Sequence, residues 1–344
     1  MPASPRRATL ATVAASAGVS VATVSKVLNG RGDVSPVTRS LVESLLEEHD
    51  YVSLSQRRRG DAAVPATLEV ELNADLNPYS TEIVQGAVRA EADAAIVVSI
   101  RTNADRAGTW ARGLAAAGRR AVIAITSELT AEQLGALSRA RLPLVVIDPL
   151  NMPQTRGVVS VGSTNFAGGL VATQHLLALG HRRIAYLGGP ATAACNQARL
   201  HGYRAAMEAA GAPVPPSHVR EGPFHYQEGV RGGAALFDLP EAPTAIFTGC
   251  DEIALGVLEA ARARGVRVPE DLSIVGFDDT QVAKMASPPL TTVRQPLREM
   301  GGVAVRTALR LAAGERVDSH HVELATELVV RGSTTAPGAL SGRG

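Results

Sequence analysis

Cysteines, aromatic residues and long apolar runs are scarce in this chain of 344 residues. The two cysteines, Cys195 and Cys250, are too few for a disulfide framework and do not have the spacing of zinc ligands. Aromatic residues make up only 3% of the chain. No run of 18 apolar residues occurs, so no membrane-spanning helix and no membrane partner are expected.

The chain also lacks a strong excess of charge of one sign, since its net charge is +1. Residues 1–60 nevertheless hold eight basic and five acidic side chains, a net +3 that suits contacts with phosphates. No apolar segment follows Arg6 and Arg7, so no secretory signal peptide is predicted and a cytoplasmic location is expected.

Catalytic motifs are missing as well. The chain contains no G-x-S-x-G, no P-loop, no H-E-x-x-H and no G-x-G-x-x-G after a strand. His175 and His181 have no second histidine at metal-ligand spacing. We therefore expect a protein that is not an enzyme and that holds no cofactor or metal.

What the chain does contain is a pattern of two short helices between Thr9 and Asn29. Apolar residues recur at helical spacing from Leu10 to Ala17, and Gly18 can adopt the positive φ of a sharp turn. Ser20 stands where an N-cap is needed. The second helix turns Val24, Val27 and Leu28 inward. This arrangement predicts a helix-turn-helix, with an ordinary helical hairpin of an all-α domain as the alternative.

A third helix is predicted to close a bundle over the first two. It begins with Ser35 as N-cap and Pro36 as its first residue, and it extends to about His49. We expect its core face to consist of Val37, Leu41, Leu45 and Leu46.

The second helix of such a motif enters the major groove of DNA. Val21 and Ala22 would contact base edges, including thymine methyl groups, and Ser25, Lys26 and Asn29 would contact bases or phosphates. Thr9, Ser20 and Thr23 complete the set of candidate DNA contacts in this segment.

From Ala66 onward, short apolar runs alternate with helical stretches, which is typical of βαβ units and parallel sheets. The predicted strands are 67–72, 95–100, 121–126, 143–148, 157–161, 183–188, 245–248, 272–277 and 320–330. The predicted helices are 79–92, 106–117, 131–140, 166–179, 198–210, 226–237, 252–264 and 298–313. Two doubly wound α/β subdomains are expected, with a ligand cleft at the carboxyl ends of the strands.

Several motifs together resemble LacI/GalR-type transcriptional regulators from residue 8 to about 332. They are the run from Thr9 to Gly30 with V-S-P-V-T-R, H-L-L-A-L-G-H-R-R-I-A-Y-L-G-G-P, A-R-L-H-G-Y-R-A-A-M, V-P-E-D-L-S-I-V-G-F-D-D and P-L-T-T-V-R-Q-P. The resemblance implies a three-helix DNA-binding domain at 1–52, a hinge at 53–65, an effector-binding and dimerisation core of periplasmic-binding-protein type at 66–336, and a disordered tail at 337–344.

The resemblance also implies how the core divides. The N-subdomain would hold about 66–161 and 294–318, and the C-subdomain about 162–291 and 319–332. The chain would cross between them near 161–164, 291–294 and 318–321, with the helix at 298–313 in the N-subdomain and the last strand in the C-subdomain.

The hinge departs from the family's pattern. Ser53 and Leu54 stand where Pro-Asn is usual, and Gly60 occupies the position of the leucine that wedges into the minor groove. We expect the arginines at 57–59, above all Arg57 and Arg58, to contact the minor groove or phosphates. The alternative is a solvated basic linker.

Eight residues match the family's effector pocket. Arg199 and Asp278 would bind ligand hydroxyls, and Asp148, Asn165 and Phe224 would assist them; Tyr79, Phe166 and Gln295 are further candidates. Asp148 could instead be a turn residue before Pro149, Asn165 a helix cap and Phe224 a core aromatic. Asp251 and Asp279 are expected to brace loops.

These expectations describe a repressor of carbohydrate-utilisation genes that a sugar or oligosaccharide releases from a pseudo-palindromic DNA operator. It would act as a homodimer, with a dimer of dimers left open. One alternative keeps this architecture but uses a purine or another corepressor, and a second is a solute-binding transport protein.

Overall fold

A computed structural model describes residues 10–28, 34–48, 66–72, 76–90, 94–100, 107–151 and 157–338. The chain divides into two compact units, Met1–Pro65 and Ala66–Gly344. Thr9, Asn29, the whole hinge with Arg57 and Arg58, and most of the C-terminal tail lie outside the described residues.

The described residues of the first unit form three helices, α1 (Leu10–Ala17), α2 (Val21–Leu28) and α3 (Pro36–Glu48). Gly18 has the predicted positive φ, +65°. The N–H of Val19 donates to the carbonyl of Ala14 at 3.1 Å and that of Gly18 donates to Ala15 at 3.3 Å, a Schellman end that turns the chain into α2.

Both predicted N-caps of this unit are present. The N–H of Thr23 donates to the Ser20 hydroxyl at 3.1 Å, and the N–H of Thr38 donates to the Ser35 hydroxyl at 3.2 Å. Each contact satisfies a backbone donor that a helix start leaves unpaired.

The predicted core face of α3 was correct at Leu45, which packs against the core, and wrong at Val37 and Leu41. Val37 is 80% exposed and Leu41 is 48% exposed, whereas Val42 is fully buried against Val13 and Val24. One residue advances a helix by about 100°, so the face centred between Val42 and Leu45 is turned by about 90° from the one centred between Val37 and Leu41.

The first sheet of the second unit has six parallel strands in the order β11-β5-β4-β3-β1-β2. In chain order these are β1 (Ala66–Leu72), β2 (Ala94–Ile100), β3 (Arg119–Ile125), β4 (Leu144–Ile147), β5 (Val159–Ser163) and β11 (His321–Leu324). Helices α4 (Pro78–Ala90) and α12 (Leu297–Ala312) cover one face, and α5 (Ala107–Ala116) and α6 (Ala131–Arg139) cover the other.

The second sheet has the order β12-β10-β9-β8-β6-β7, with only β12 antiparallel to its neighbour. Its strands are β6 (Ile184–Gly188), β7 (Val219–Glu221), β8 (Ala245–Thr248), β9 (Ser273–Asp278), β10 (Thr291–Arg294) and β12 (Glu327–Val329). Helices α7 (Asn165–Ala178) and α8 (Ala194–Ala209) lie on one face, and α9 (Tyr226–Phe237) and α10 (Asp251–Ala263) on the other; the short α11 (Gln281–Met285) precedes β10. The predicted two-subdomain α/β fold is confirmed.

Close packing of α7 on α8 depends on glycine. A Cβ on Gly169 would lie 2.3 Å from the carbonyl oxygen of Arg199, and one on Gly202 would lie 2.2 Å from that of Phe166. The two backbones can therefore approach more closely than larger residues would allow. This approach brings Arg199 of α8 beside Asn165, the first residue of α7.

The chain crosses between the sheets after Ser163, after Arg294 and between Leu324 and Glu327. The third crossing is later than the predicted 318–321, and the single predicted strand at 320–330 is two strands in two sheets. The reason is the bend at Thr326, whose N–H and hydroxyl both bond to Thr164 and so end β11 before β12 begins. The last segment therefore contributes to both subdomains.

Candidate functional site

A cavity of about 200 Å³ lies between the two sheets of the second unit, at the carboxyl ends of their strands. The first subdomain lines it with Leu72, Asn77, Pro78, Tyr79, Ser80, Ile125, Thr126, Asp148 and Leu150. The second lines it with Pro190, Cys195, Arg199, Pro223, Phe224, His225, Cys250, Asp251, Glu252, Asp278 and Thr280. Parallel strands direct their carboxyl ends to one edge of a sheet, which is where α/β proteins bind ligands.

Backbone strain is concentrated at this edge. Among the described residues, five that are not glycine have a positive φ, and three of them line the cavity: Thr126 (43°), Asp148 (39°) and Asp278 (112°). A fourth, Asp279 (54°), follows directly. Such conformations cost about 1–3 kcal/mol each and persist at functional sites. They favour the strand ends as the candidate ligand site independently of any motif.

Arg199 is the central cation of the cleft and is only 3% exposed. Its Nε donates to Asn165 Oδ1 at 2.7 Å and its Nη1 donates to the Gly249 carbonyl at 2.5 Å. The guanidinium lies 3.8 Å from the ring centre of Phe277, a cation–π contact. The alternative role of Asn165, as a helix cap, is not found: Thr164 is the N-cap, and Asn165 Oδ1 accepts from Arg199.

Asp278 lies at the end of β9, with its Oδ1 3.9 Å from Arg199 Nη1. Gln295 Nε2 donates to the same oxygen at 2.6 Å, and Ser163 Oγ donates to Gln295 Oε1 at 2.5 Å. Burial raises the pKa of Asp278, and the Arg199 charge opposes that rise. Gln295 therefore joins a pocket carboxylate to two of the three crossing segments.

Asp148 follows β4 on the opposite wall of the cleft. The Tyr79 hydroxyl donates to its Oδ2 at 2.7 Å. Burial raises the pKa of Asp148, and Arg199 and the Tyr79 hydrogen bond act against this rise. The pKa of Tyr79 is raised by its own burial, so its hydroxyl stays a donor. This hydrogen bond fixes the Asp148 carboxylate at the wall of the cavity.

Phe224 is the aromatic wall of the cleft. Its ring lies against Gly189, where a Cβ would come within 2.1 Å of the ring, and its centre is 5.8 Å from the Arg199 guanidinium. The ring is half-buried and also packs on the core of the second sheet. It can therefore support the apolar face of a ligand while it remains fixed by the protein.

Five of the eight predicted effector residues line the cavity: Tyr79, Asp148, Arg199, Phe224 and Asp278. Asn165 and Gln295 stand behind them and bond to Arg199 and Asp278. Phe166 is 47% exposed and is not among the lining residues.

Sequence reasoning missed other lining residues, among them Asn77, Thr126, Cys195, His225 and Glu252. Cys195 precedes Arg199 by four positions on α8, so helical periodicity could have placed it on the same face. Burial raises its pKa to about 11. The others lie on loops or helix starts that carry no periodic signal.

Asp251 and Asp279 brace loops, as expected. Asp251 accepts hydrogen bonds from the Thr280 N–H at 2.8 Å and from the Thr292 hydroxyl at 2.6 Å. Asp279 pairs with Arg294 at 2.7 Å and with Arg331 at 2.5 Å.

The outer face of α2 is the second candidate surface. Val21 is 46% exposed, and Ser20, Ala22 and Lys26 are also exposed. Thr23 is half-buried and shares a 2.9 Å hydrogen bond with Ser20. The side chain of Ser25, like Thr9, Asn29, Arg57 and Arg58, is outside the described residues.

Within the described part of the chain, no helix is both long and apolar enough to cross a bilayer. The same residues contain no group of three or more His, Cys, Asp or Glu side chains that could hold a metal ion.

Comparison with known proteins matches both units. Residues 9–53 fit the family of bacterial regulatory proteins, lacI family, and residues 173–334 fit the periplasmic binding protein-like domain. The chain is 34% identical to the HTH-type transcriptional regulator DegA of Bacillus subtilis over 96% of its own length and 98% of DegA. The chain belongs to the LacI family. Its relatives are transcriptional regulators, and this LacI-family chain is one as well.

Two further relatives have similar solved structures that contain a bound ligand or DNA. The chain is 35% identical to the HTH-type transcriptional regulator CelR of Thermobifida fusca, over 95% of the chain and 98% of CelR. A solved CelR–cellobiose complex matches with a TM-score of 0.72 at 34% identity, covering 95% of this chain and all of that one. A lac repressor dimer bound to operator and the anti-inducer ONPF matches with a TM-score of 0.72 at 28% identity, over 96% of this chain and all of that one.

Proposed function

We propose that this LacI-family regulator represses carbohydrate-utilisation genes and is released from its operator when a sugar or oligosaccharide occupies the cleft. The observation that carries this proposal is the cleft itself, whose lining brings Arg199, Asp148 and Asp278 together with the ring of Phe224. Carboxylates and a guanidinium bind vicinal hydroxyls, and an aromatic face supports the C–H face of a sugar ring. The CelR–cellobiose complex shows a relative with a disaccharide bound.

The DNA-binding part rests on the exposed outer face of α2. Small side chains at Val21 and Ala22 allow a helix to approach base edges, and Lys26 adds a cation beside them. In a homodimer, two such helices would contact half-sites one helical turn apart, about 34–36 Å. The operator is then expected to be pseudo-palindromic. The arginines at 57 and 58 belong to the proposed contact set through the hinge.

The variant Lys26→Ala tests the head. We expect weaker operator binding with an unchanged fold. The slope of the logarithm of the binding constant against the logarithm of the salt concentration should decrease by the amount that corresponds to about one phosphate contact. Arg204→Ala is the matched control, because it removes the same charge from an exposed position in the second unit. Equal operator affinity of the Lys26 variant and the wild type would remove Lys26 from the contact set.

Communication between cleft and head would use the three crossing segments. Ser163, Gln295 and Asp278 form one hydrogen-bonded series, and Thr164 bonds to Thr326 of the third crossing. A ligand held by both subdomains changes their relative orientation at these segments. Effector and operator affinities would then be reciprocally linked, by about 1–3 kcal/mol.

The cleft is tested by thermal denaturation of the purified protein with mono- and oligosaccharides, with purines as the comparison. A ligand that binds only the folded state raises the midpoint by mass action. The variant Asp278→Asn should lose this shift and the ligand response while retaining operator binding. A shift with a purine and none with any sugar would overturn the carbohydrate assignment and leave the regulator intact.

A further inference from the structure

Acidic groups outnumber basic ones around the cleft. Its ionisable lining comprises Asp148, Asp251, Glu252 and Asp278 against Arg199 and His225, together with Tyr79 and the two thiols. Among the described residues that line the cavity, Arg199 is the only arginine or lysine. A ligand that enters here meets more carboxylates than cations.

That single arginine is already engaged by the protein. It donates to Asn165 and to the Gly249 carbonyl, lies over Phe277 and faces Asp278 at 3.9 Å. A buried guanidinium requires a counter-charge, so at least one carboxylate beside it is ionised. Among the described residues that line the cavity, no surplus positive charge is therefore left for an anionic ligand.

The helix end that could have attracted an anion is acidic instead. The N-terminus of α10 opens on the cavity, and a helix N-terminus carries a partial positive charge. Its first two residues are Asp251 and Glu252. Asp251 turns to Thr280 and Thr292, whereas Glu252 is a half-buried lining residue whose pKa is raised by burial and lowered by the nearby His225.

We propose that the cleft selects an uncharged polyhydroxy ligand and rejects the phosphorylated form of that ligand, with Glu252 as a specificity-determining residue. This inference rests on the proposed effector function of the cleft and adds the charge of the ligand to it. A phosphate monoester carries a charge of about −1.5 to −2 at neutral pH. It would have to lie among these carboxylates, and the described part of the lining offers no further cation to balance it, whereas a hydroxyl donates to them.

Isothermal titration with the full chain at pH 8 tests this. The probes are cellobiose, glucose and ribose, each beside its phosphate monoester. We expect the sugar that binds to have at least a hundredfold higher affinity than its ester, the order of effect for an uncompensated charge. An ester that binds as tightly as its parent sugar, or that is the only ligand, overturns the inference but leaves the effector cleft standing. No binding by any member of the panel overturns both.

The role of Glu252 is tested by Glu252→Gln. This variant should raise the affinity for the ester about tenfold and change that for the neutral sugar by less than about threefold. Glu259→Gln is the matched control, because it makes the same charge change two turns further along α10, at a residue that pairs with Arg262 outside the cavity. A discrimination ratio that is the same in the Glu252 variant as in the wild type removes Glu252 from this role.

Discussion

Replacing Arg199 by methionine should destabilise the second unit strongly, because the change leaves an acidic partner buried and unpaired. The side chains of Arg199 and Asp278 are 3% and 7% exposed. Methionine retains much of the arginine's apolar volume, so the loss reports on charge and hydrogen bonds more than on packing. We expect the free energy of unfolding at pH 8 to fall by about 3–5 kcal/mol.

The structure supports this magnitude in two ways. At the 3.9 Å separation of Arg199 Nη1 and Asp278 Oδ1, two unit charges attract by about 4 kcal/mol for an effective dielectric constant near 20. The variant also leaves Asn165 Oδ1 and the Gly249 carbonyl without the donors they now have, at about 1–3 kcal/mol each. Relief of the desolvation of the arginine offsets part of this sum, which brings the expected loss back to a few kcal/mol.

The pH dependence has a definite sign. Burial raises the pKa of Asp278, and Arg199 opposes that rise, so the methionine variant should raise this pKa further. A carboxyl whose pKa is raised by folding stabilises the native state most at low pH, and this contribution is lost as the pH rises through the folded pKa. The Arg199→Met variant should therefore be closer to the wild type at pH 5.5 than at pH 8.

Urea denaturation of the two single variants and of the double variant Arg199→Met with Asp278→Asn provides the assay. The double variant should be more stable than the sum of the single effects predicts, by about 1–3 kcal/mol, because neither charge is left alone. Additivity within about 0.5 kcal/mol at pH 8 would refute the idea that the two groups compensate each other in the folded protein.

Three further outcomes are expected. Gly202→Ala should lower the free energy of unfolding by at least about 1–3 kcal/mol through overpacking, because the new Cβ would lie 2.2 Å from the Phe166 carbonyl oxygen. The control Gly113→Ala in α5 places its Cβ within 4 Å of no atom, so it should be neutral or stabilising in the same thermal melts. Burial lowers the pKa of His181, which bonds to Thr244. The stability of the native protein should therefore fall as the pH drops below about 6.5, and it should fall less in the His181→Gln variant. Parallel pH profiles of the two proteins in urea denaturation would contradict this. Gln295→Ala should weaken ligand-induced release from DNA more than ligand binding itself, and a titration that shows equal losses of both would place Gln295 only in the binding site.

The fold of the head could be predicted because its signals are local. Gly18, Ser20 and Ser35 act on their own neighbours, and each does in the structure what its position indicates. The face of α3 could not be predicted as well, since Leu41 and Val42 are both apolar and only packing against the other helices decides which is buried. Periodicity identifies a helix more reliably than it identifies the face of that helix that is buried.

The position of the cleft could be predicted from the sequence, but the contacts inside it could be predicted only in part. The parallel strands predict a cleft at their carboxyl ends, and the family resemblance assigns Asp148 and Asp278 to it. The hydrogen bond of Arg199 to the Gly249 carbonyl and its stacking on Phe277 join positions 50 or more residues apart, and no local pattern indicates such contacts. The third crossing was misplaced for a related reason, because Thr326 ends β11 through a bond to Thr164, 162 residues earlier.

Asp278 combines a strained backbone, a buried charge and a hydrogen bond to a crossing segment, and this combination bears on how a ligand would act. Asp278 adopts a φ of 112°, faces Arg199 and accepts the hydrogen bond of Gln295 on the crossing that follows β10. A ligand hydroxyl that donates to this carboxylate would compete with the Gln295 hydrogen bond or add to it. Either change would alter the hydrogen bond between Gln295 and Ser163 on the first crossing. Residues proposed to hold the ligand are thus bonded directly to the segments that connect the subdomains. Occupancy of the cleft can then alter subdomain orientation without a long relay of side chains between the two.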